Sequence, residues 1–111
     1  MELTLEEALQ KAVEAHKSGQ TQEADRHYTA ILHAQPKHPD ANHNMGVLTV
    51  GAGKVKEALP FFKTALEANP SVGQFWLSYI DALIKSDEVL DAKAMLFEAR
   101  GRGIKGEVLD Q

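Results

Sequence analysis

A 34-residue period runs through this sequence, and it limits the possible folds more than any other feature does. Alanine recurs at that spacing in Ala24, Ala58 and Ala92, and proline recurs in Pro36 and Pro70. Other residue classes share the same period: Tyr28, Phe62 and Leu96; Gly19, Gly53 and Asp87; Ala8, Asn42 and Trp76. Because several independent classes agree, the chain consists of copies of one supersecondary unit. Such copies bury their apolar faces by stacking on one another.

Each unit divides into two halves of helical length. In the first half of the first unit, apolar residues recur at steps of three and four over residues 5–16, which predicts a helix. Gly19 ends that helix, because glycine tolerates the left-handed conformation of many helix ends. A second helix is predicted over about 22–34 and stops at Pro36. The later units repeat this pattern, with helices predicted at about 40–52, 55–68, 73–86 and 88–100. Pro60 falls early in the fourth helix, where proline is better tolerated than in a helix interior.

Length, composition and charge are those of one soluble domain over residues 1–111. The chain is 43% hydrophobic and 25% charged, with a net charge of -4 and no cysteine. An acidic balance opposes binding to a nucleic-acid backbone, and the lack of cysteine excludes disulfides and thiolate metal sites. The N-terminus carries acidic residues and no long apolar run follows, so neither a secretion signal nor a membrane span is predicted. We therefore expect a cytoplasmic protein.

The units resemble tetratricopeptide repeats. Small residues fill the places where paired helices approach closely, notably Gly46 and Ala58, and Trp76 fills the aromatic place that opens a unit. The resemblance extends over residues 5–104. It implies an all-α fold, a right-handed superhelical stack of antiparallel helix pairs with about six helices and a short C-terminal tail. The implied units lie at about 5–38, 39–72 and 73–106, with the tail at 107–111.

In this family a partner usually binds in the concave groove that the first helices of the units line. The resemblance implies that the groove includes Leu9, Val13, His43, Asn44, Val47, Leu77, Ser78 and Asp81. This mixture of apolar and hydrogen-bonding groups suits an amphipathic helix or an extended segment. Alternatively, the apolar members pack against neighbouring helices. Members that bind chaperone tails grip a carboxylate with basic residues, and here Leu9, Asp40 and Ser78 occupy those places, so this mode is not expected.

The sequence offers no motif for catalysis, for a metal or for a cofactor. None of the five histidines forms an i,i+4 pair on one helix, as a metalloprotease zinc motif would. Acidic residues fall on outer faces of the predicted helices, where solvated charges are the ordinary interpretation. No glycine-rich phosphate loop and no nucleophile elbow is present. We predict a protein without enzymatic activity.

The last helix raises a further question, since a stack of repeats needs a covered end. Leu90, Met95 and Phe97 lie on this helix, and Val108 and Leu109 of the tail would cover only part of it. The chain could continue into further helices, associate with itself, or fold its tail back. The predicted function is a protein–protein interaction module that binds a peptide or helix and self-associates through this end. The alternative is an N-terminal accessory region of a larger enzyme such as a bacterial transferase.

Overall fold

The computed structural model describes residues 3–104, and it contains six α-helices and no strand within that range. The helices are α1 (Leu5–Lys17), α2 (Thr21–Ala34), α3 (Pro39–Gly51), α4 (Val55–Ala68), α5 (Gly73–Lys85) and α6 (Val89–Gly101). The all-α prediction is therefore confirmed, and the helix bounds agree with the predicted ones to within about one residue. The predicted tail at 107–111, with Val108 and Leu109, lies outside the described residues.

The helices pack as consecutive pairs, and their buried residues form apolar clusters within and between the pairs. α1 packs on α2, α3 on α4 and α5 on α6, while α2 also contacts α3 and α4 contacts α5. α3 additionally touches both α1 and α5, so the first helices of the pairs are neighbours. This is a helical solenoid, in which each pair completes its core against the next.

The turn within each pair uses one left-handed residue. Gly19 and Gly53 have φ angles of 80° and 82°, and Asp87 at the same position of the third pair has a φ of 66°. In each turn the next backbone N–H donates to a carbonyl five residues back, which closes the helix end. Asp87 therefore performs the task of a glycine, although its side chain makes this conformation less favourable.

The loops between pairs are held by one equivalent side chain in two units. Asn42 Nδ2 donates to the Pro36 carbonyl oxygen over 3.0 Å. Thirty-four residues later, Trp76 Nε1 donates to the Pro70 carbonyl oxygen over 2.8 Å. An amide and an indole thus satisfy the same acceptor, and both side chains are buried. The shared requirement of this position is an N–H donor for the loop carbonyl.

The predicted small and bulky positions form the helix interfaces. Ala24, Ala58 and Ala92 are all buried, and so are Tyr28 and Phe62 between the helices. Leu96, at the place of Phe62 in the third pair, is only half-buried. A Cβ placed on Gly46 would lie 2.6 Å from Cε1 of Phe62, so only glycine permits this approach of α3 to α4. The equivalent position of α5 holds the buried Ile80.

Pro60 lies inside α4 without ending it. The helix continues to Ala68, as predicted for an early proline. Pro60 itself is exposed, so its ring contacts little of the core. Its missing N–H leaves the carbonyl of Lys56 without the usual i→i-4 partner. No helix within residues 3–104 is long and apolar enough to cross a membrane.

Candidate functional site

All eight residues predicted to line a groove lie on the first helices of the pairs, at equivalent positions. Val47 and Asp81 are exposed, and the other six are half-buried. Leu9 packs against the core cluster around α1 and α2, so part of its apolar surface serves the fold. The equivalent sets are Leu9, His43 and Leu77; Asn44 and Ser78; Val13, Val47 and Asp81.

His43 is the centre of this surface and connects two units. Its Nε2 lies 2.8 Å from Ser78 Oγ on α5, and its Nδ1 lies 3.4 Å from Asn44 Oδ1. The imidazole stacks on the ring of Phe75, with centroids 4.9 Å apart, and tilts against Phe62 at 5.6 Å. Three of the predicted residues are therefore in direct contact, across the boundary between the second and third pairs.

The hydrogen bonds around His43 indicate where its proton lies. Gln74 Nε2 donates to Ser78 Oγ over 3.2 Å. The Ser78 hydroxyl can then donate to Nε2 of His43, which leaves the ring proton on Nδ1, facing the Asn44 oxygen. Burial lowers the pKa of His43, while the hydrogen bond to Asn44 and the charge of Asp40 oppose that shift. The imidazole is neutral at pH 7 in this setting.

Asn44 also contributes to the core of the neighbouring pair. Its side chain lies near the phenol of Tyr28, a residue of α2 that is almost fully buried. Burial raises the pKa of Tyr28, and the polar side chain of Asn44 partly offsets that shift. A row of polar groups therefore runs from Tyr28 through Asn44 and His43 to Ser78. It joins three helices, α2, α3 and α5, one from each of the three pairs.

The contacts of His43 resemble the arrangement of a catalytic triad. Ser78 would be the nucleophile, His43 the base and Asn44 the group that orients the base. The surroundings do not suit acyl transfer. Ser78 lies inside α5, where backbone N–H groups bond within the helix and are not available to an oxyanion. Ser78 Oγ already receives a hydrogen bond from Gln74, and the Asn44 side chain also interacts with Tyr28. The arrangement is best explained as a polar link between units.

The remaining polar residue of the predicted groove lies at its edge. Asp81 forms an i,i+4 ion pair with Lys85 over 3.0 Å, and both side chains are more than half exposed. Such an exposed pair contributes little to stability. Because the two opposite charges lie together, they leave no net charge at this edge of the surface.

Sequence reasoning missed two residues of this surface, Phe75 and Gln74. Gln74 lies four residues before Ser78 on the same helix, a spacing at which side chains meet, so its bond could have been anticipated. The stacking of Phe75 on His43 joins two different units. The period shows which positions are equivalent, but it does not show which ring meets which across a boundary.

The surface is open rather than enclosed. Five pockets of about 440 to 620 Å³ lie elsewhere among residues 3–104, and none of those five is lined by any of the eight predicted residues. Small molecules usually bind in concave pockets that bury most of their surface, whereas an open face suits a protein segment. Within the same range, no three His, Asp or Glu side chains are grouped as a metal site would require.

Comparisons with known proteins agree with this architecture. Residues 49–102 match the family model described as "Tetratricopeptide repeat". A solved structure titled "MamA AMB-1 P212121" superposes with a TM-score of 0.76 at 17% identity, covering 88% of this chain. The chain spans 54% of the length of that structure, so it corresponds to about half of it. No curated protein matches. Repeats of this type are typically interaction modules, and residues 49–102 of the chain are identified as tetratricopeptide repeat sequence.

Proposed function

We propose that the chain is a non-catalytic module that binds a peptide or a helix of a partner protein across α1, α3 and α5. The observation that carries the proposal is the mixed character of that open face around His43. Half-buried polar groups on Asn44 and Ser78 lie beside the exposed Val47, which is 39% accessible. An amphipathic helix or an extended segment can satisfy both kinds of contact.

The electrostatics of the face favour a largely uncharged contact. His43 is neutral at pH 7 because burial lowers its pKa, and the exposed charges, Asp81 and Lys85, pair with each other. A partner would therefore place apolar side chains near Val47 and Leu77, with hydrogen-bonding groups near Asn44. No cofactor, metal, nucleic acid or membrane is required for this role, and the cytoplasm is the compartment that we propose.

A pair of matched valine variants tests the location of the site. Peptides are first selected for binding from a random display library, and their dissociation constants are then measured for the wild type, Val47→Asp and Val89→Asp. The two valines are similarly exposed, at 39% and 44%, but Val89 lies on α6. We expect Val47→Asp to weaken binding at least roughly tenfold, because the contact would have to bury an unpaired carboxylate. Equal affinities for both variants would place the site elsewhere.

Two other candidates from the sequence have some support. The first is self-association through the end of the stack, where Ile84 is 55% exposed and Leu96 only half-buried. The second is an accessory region of a larger enzyme such as a bacterial transferase. It is compatible with a chain that corresponds to about half of the MamA structure. A gene whose reading frame continues past residue 111 into a catalytic domain would support the second candidate, and a stop codon there would refute it.

A further inference from the structure

The outer face of α6 carries an apolar stripe that the solenoid does not use. Leu90 and Phe97 are 81% and 82% exposed, and the exposed Ala94 and Gly101 continue their row. These four residues, which we name the α6 seam, follow one another at steps of four, three and four. That spacing is the heptad pattern by which one helix packs along another. The buried residues of α6, Ala92 and Ala99, lie on the opposite side of the helix.

The earlier pairs show that the fold does not require apolar residues at these positions. The equivalent residues of α2 and α4 are all exposed, as those of the seam are. They are polar or charged apart from one proline: Gln22, Arg26, Thr29 and His33 in α2, and Lys56, Pro60, Lys63 and Glu67 in α4. Leu90 and Phe97 therefore replace polar residues on the same solvent-facing surface. Apolar residues gathered on such a face indicate contact with another molecule.

Charged residues flank the seam with one sign on each side. Lys93 and Arg100 lie along one edge of the seam, and Asp91 and Glu98 along the other. In heptad terms Lys93 holds a g position and Glu98 the following e′ position, which meet between two parallel helices. An antiparallel pair would instead bring like charges together, since each edge would face its own copy. The pattern is complementary to itself in the parallel orientation.

We propose that a second copy of the chain binds through this face, with the two α6 helices packed in parallel along their seams. Leu90 and Phe97 of one copy contact the same residues of the other, with Ala94 and Gly101 giving room for a close approach. Lys93 of each copy pairs with Glu98 of the other. The body of each chain lies on the far side of its α6, since Ala92 and Ala99 face inward. Two solenoids can therefore meet without overlap.

The contact is short, so the dimer is weak and concentration-dependent. The seam runs from Leu90 to Gly101, roughly 16 Å along the helix, and it buries less than the roughly 1,600 Å² of a standard interface. Glu98 also pairs with Arg102 of its own chain over 3.5 Å, but both side chains are about half exposed. Exposed pairs of this kind exchange partners at little cost. This proposal rests on the self-association candidate given above, but it places the contact on the outer face of α6 instead of at the end of the stack.

Sedimentation equilibrium measures whether the chain dimerises, and a variant that carries α2 residues in the seam tests where the contact lies. The variant Leu90→Gln with Phe97→Thr carries the side chains of the equivalent positions Gln22 and Thr29. Over roughly 10 µM to 1 mM, we expect a monomer–dimer equilibrium for the wild type and a monomer for this variant. A wild type that stays monomeric overturns the proposal. A dimer that persists in this double variant but is lost in Ile84→Gln also overturns the proposal. That result would instead support self-association through the end of the stack.

Charge reversal tests the parallel orientation. Lys93→Glu alone places a negative charge opposite Glu98 of the second copy. Glu98→Lys alone places a positive charge opposite Lys93 of the second copy. Each variant should dimerise roughly tenfold more weakly than the wild type, because two attractive pairs become repulsive. An equal mixture of the two variants restores both pairs, and we expect it to form mixed dimers with at least the wild-type affinity. A mixture that associates no better than the separate variants would overturn the parallel arrangement.

Peptide binding at the first helices gives an independent readout. The seam variant should bind the selected peptides with unchanged affinity, since Leu90 and Phe97 lie on α6 and away from Val47. Loss of the dimer with intact peptide binding would separate this inference from the proposed groove. Loss of both would instead reveal a folding defect, which circular dichroism would detect, and the charge-reversal pair would then decide the matter.

Discussion

Replacing Gly46 by alanine should destabilise the protein, although alanine is the better helix former. Gly46 lies in α3 where that helix packs directly on Phe62 of α4. The added Cβ would lie 2.6, 2.7 and 2.9 Å from Cε1, Cδ1 and Cζ of Phe62. The ring would have to retreat by roughly 0.8 Å to reach an ordinary contact of 3.4 Å. Phe62 is only 2% exposed and also meets the imidazole of His43, so it has little room to move.

Gly51 provides a matched control on the same helix. A Cβ at Gly51 would meet nothing within 4 Å. Both substitutions gain up to about 1 kcal/mol of helix propensity, but only Gly46→Ala adds overpacking, which costs about 1–3 kcal/mol. Gly46→Ala should therefore be about 1–3 kcal/mol less stable than Gly51→Ala. For a chain of this size, each kcal/mol lowers Tm by roughly 4–8 °C.

Urea and thermal unfolding of the two variants measure this difference directly. A second comparison uses Phe62→Leu, which removes the atoms that the new Cβ would meet. In that background Gly46→Ala should cost less, so the two substitutions should be coupled in a double-mutant cycle. If Gly46→Ala is as stable as Gly51→Ala, the approach of α3 to α4 is not as close as described, and the reasoning fails.

Three further substitutions test the fold and its pH dependence. Pro60→Ala should raise the urea midpoint and add about 1–3 kcal/mol, because it restores a donor to the Lys56 carbonyl; a lower midpoint would contradict this. Asp87→Gly should add up to about 1 kcal/mol by relieving the left-handed φ of 66°, and an unchanged or lower Tm would argue against strain there. Burial lowers the pKa of His43 in the folded chain, so the unfolded chain binds more protons and stability falls as pH drops below about 6.5. His43→Leu, which carries the residue of its equivalent positions, should flatten the fall seen in urea titrations from pH 7 to 5; an unaltered slope would assign it to other groups.

The order of the helices and their bounds could be predicted because the same turn and loop residues recur in successive units. Gly19 and Gly53 mark two turns, and their period assigns Asp87 to the third although aspartate is not a usual choice there. Pro36 and Pro70 mark the loops in the same way. Each of these signals is local, since it depends on the backbone preferences of one or two residues.

The candidate surface could be predicted only as a set of positions. The resemblance to tetratricopeptide repeats implied these eight residues on the first helices, but it did not indicate how deeply each would be buried. Asn44 lies near the Tyr28 phenol, and His43 stacks on Phe75, through contacts that cross from one unit to another. Such contacts depend on the angle between neighbouring units. That angle arises from the packing of many side chains and is not encoded in any single one of them.

Equivalent positions in a repeat also act as internal controls that separate folding from other demands. Asn42 and Trp76 differ in size and polarity, yet each donates an N–H to its loop carbonyl, so the fold explains both. Leu90 and Phe97 also differ from their equivalents, but no contact within the described chain explains that change. A residue that differs from its equivalents but makes the same structural contact needs no further explanation. A departure that adds exposed apolar surface without such a need requires a cause outside the single chain, and the α6 seam meets that condition.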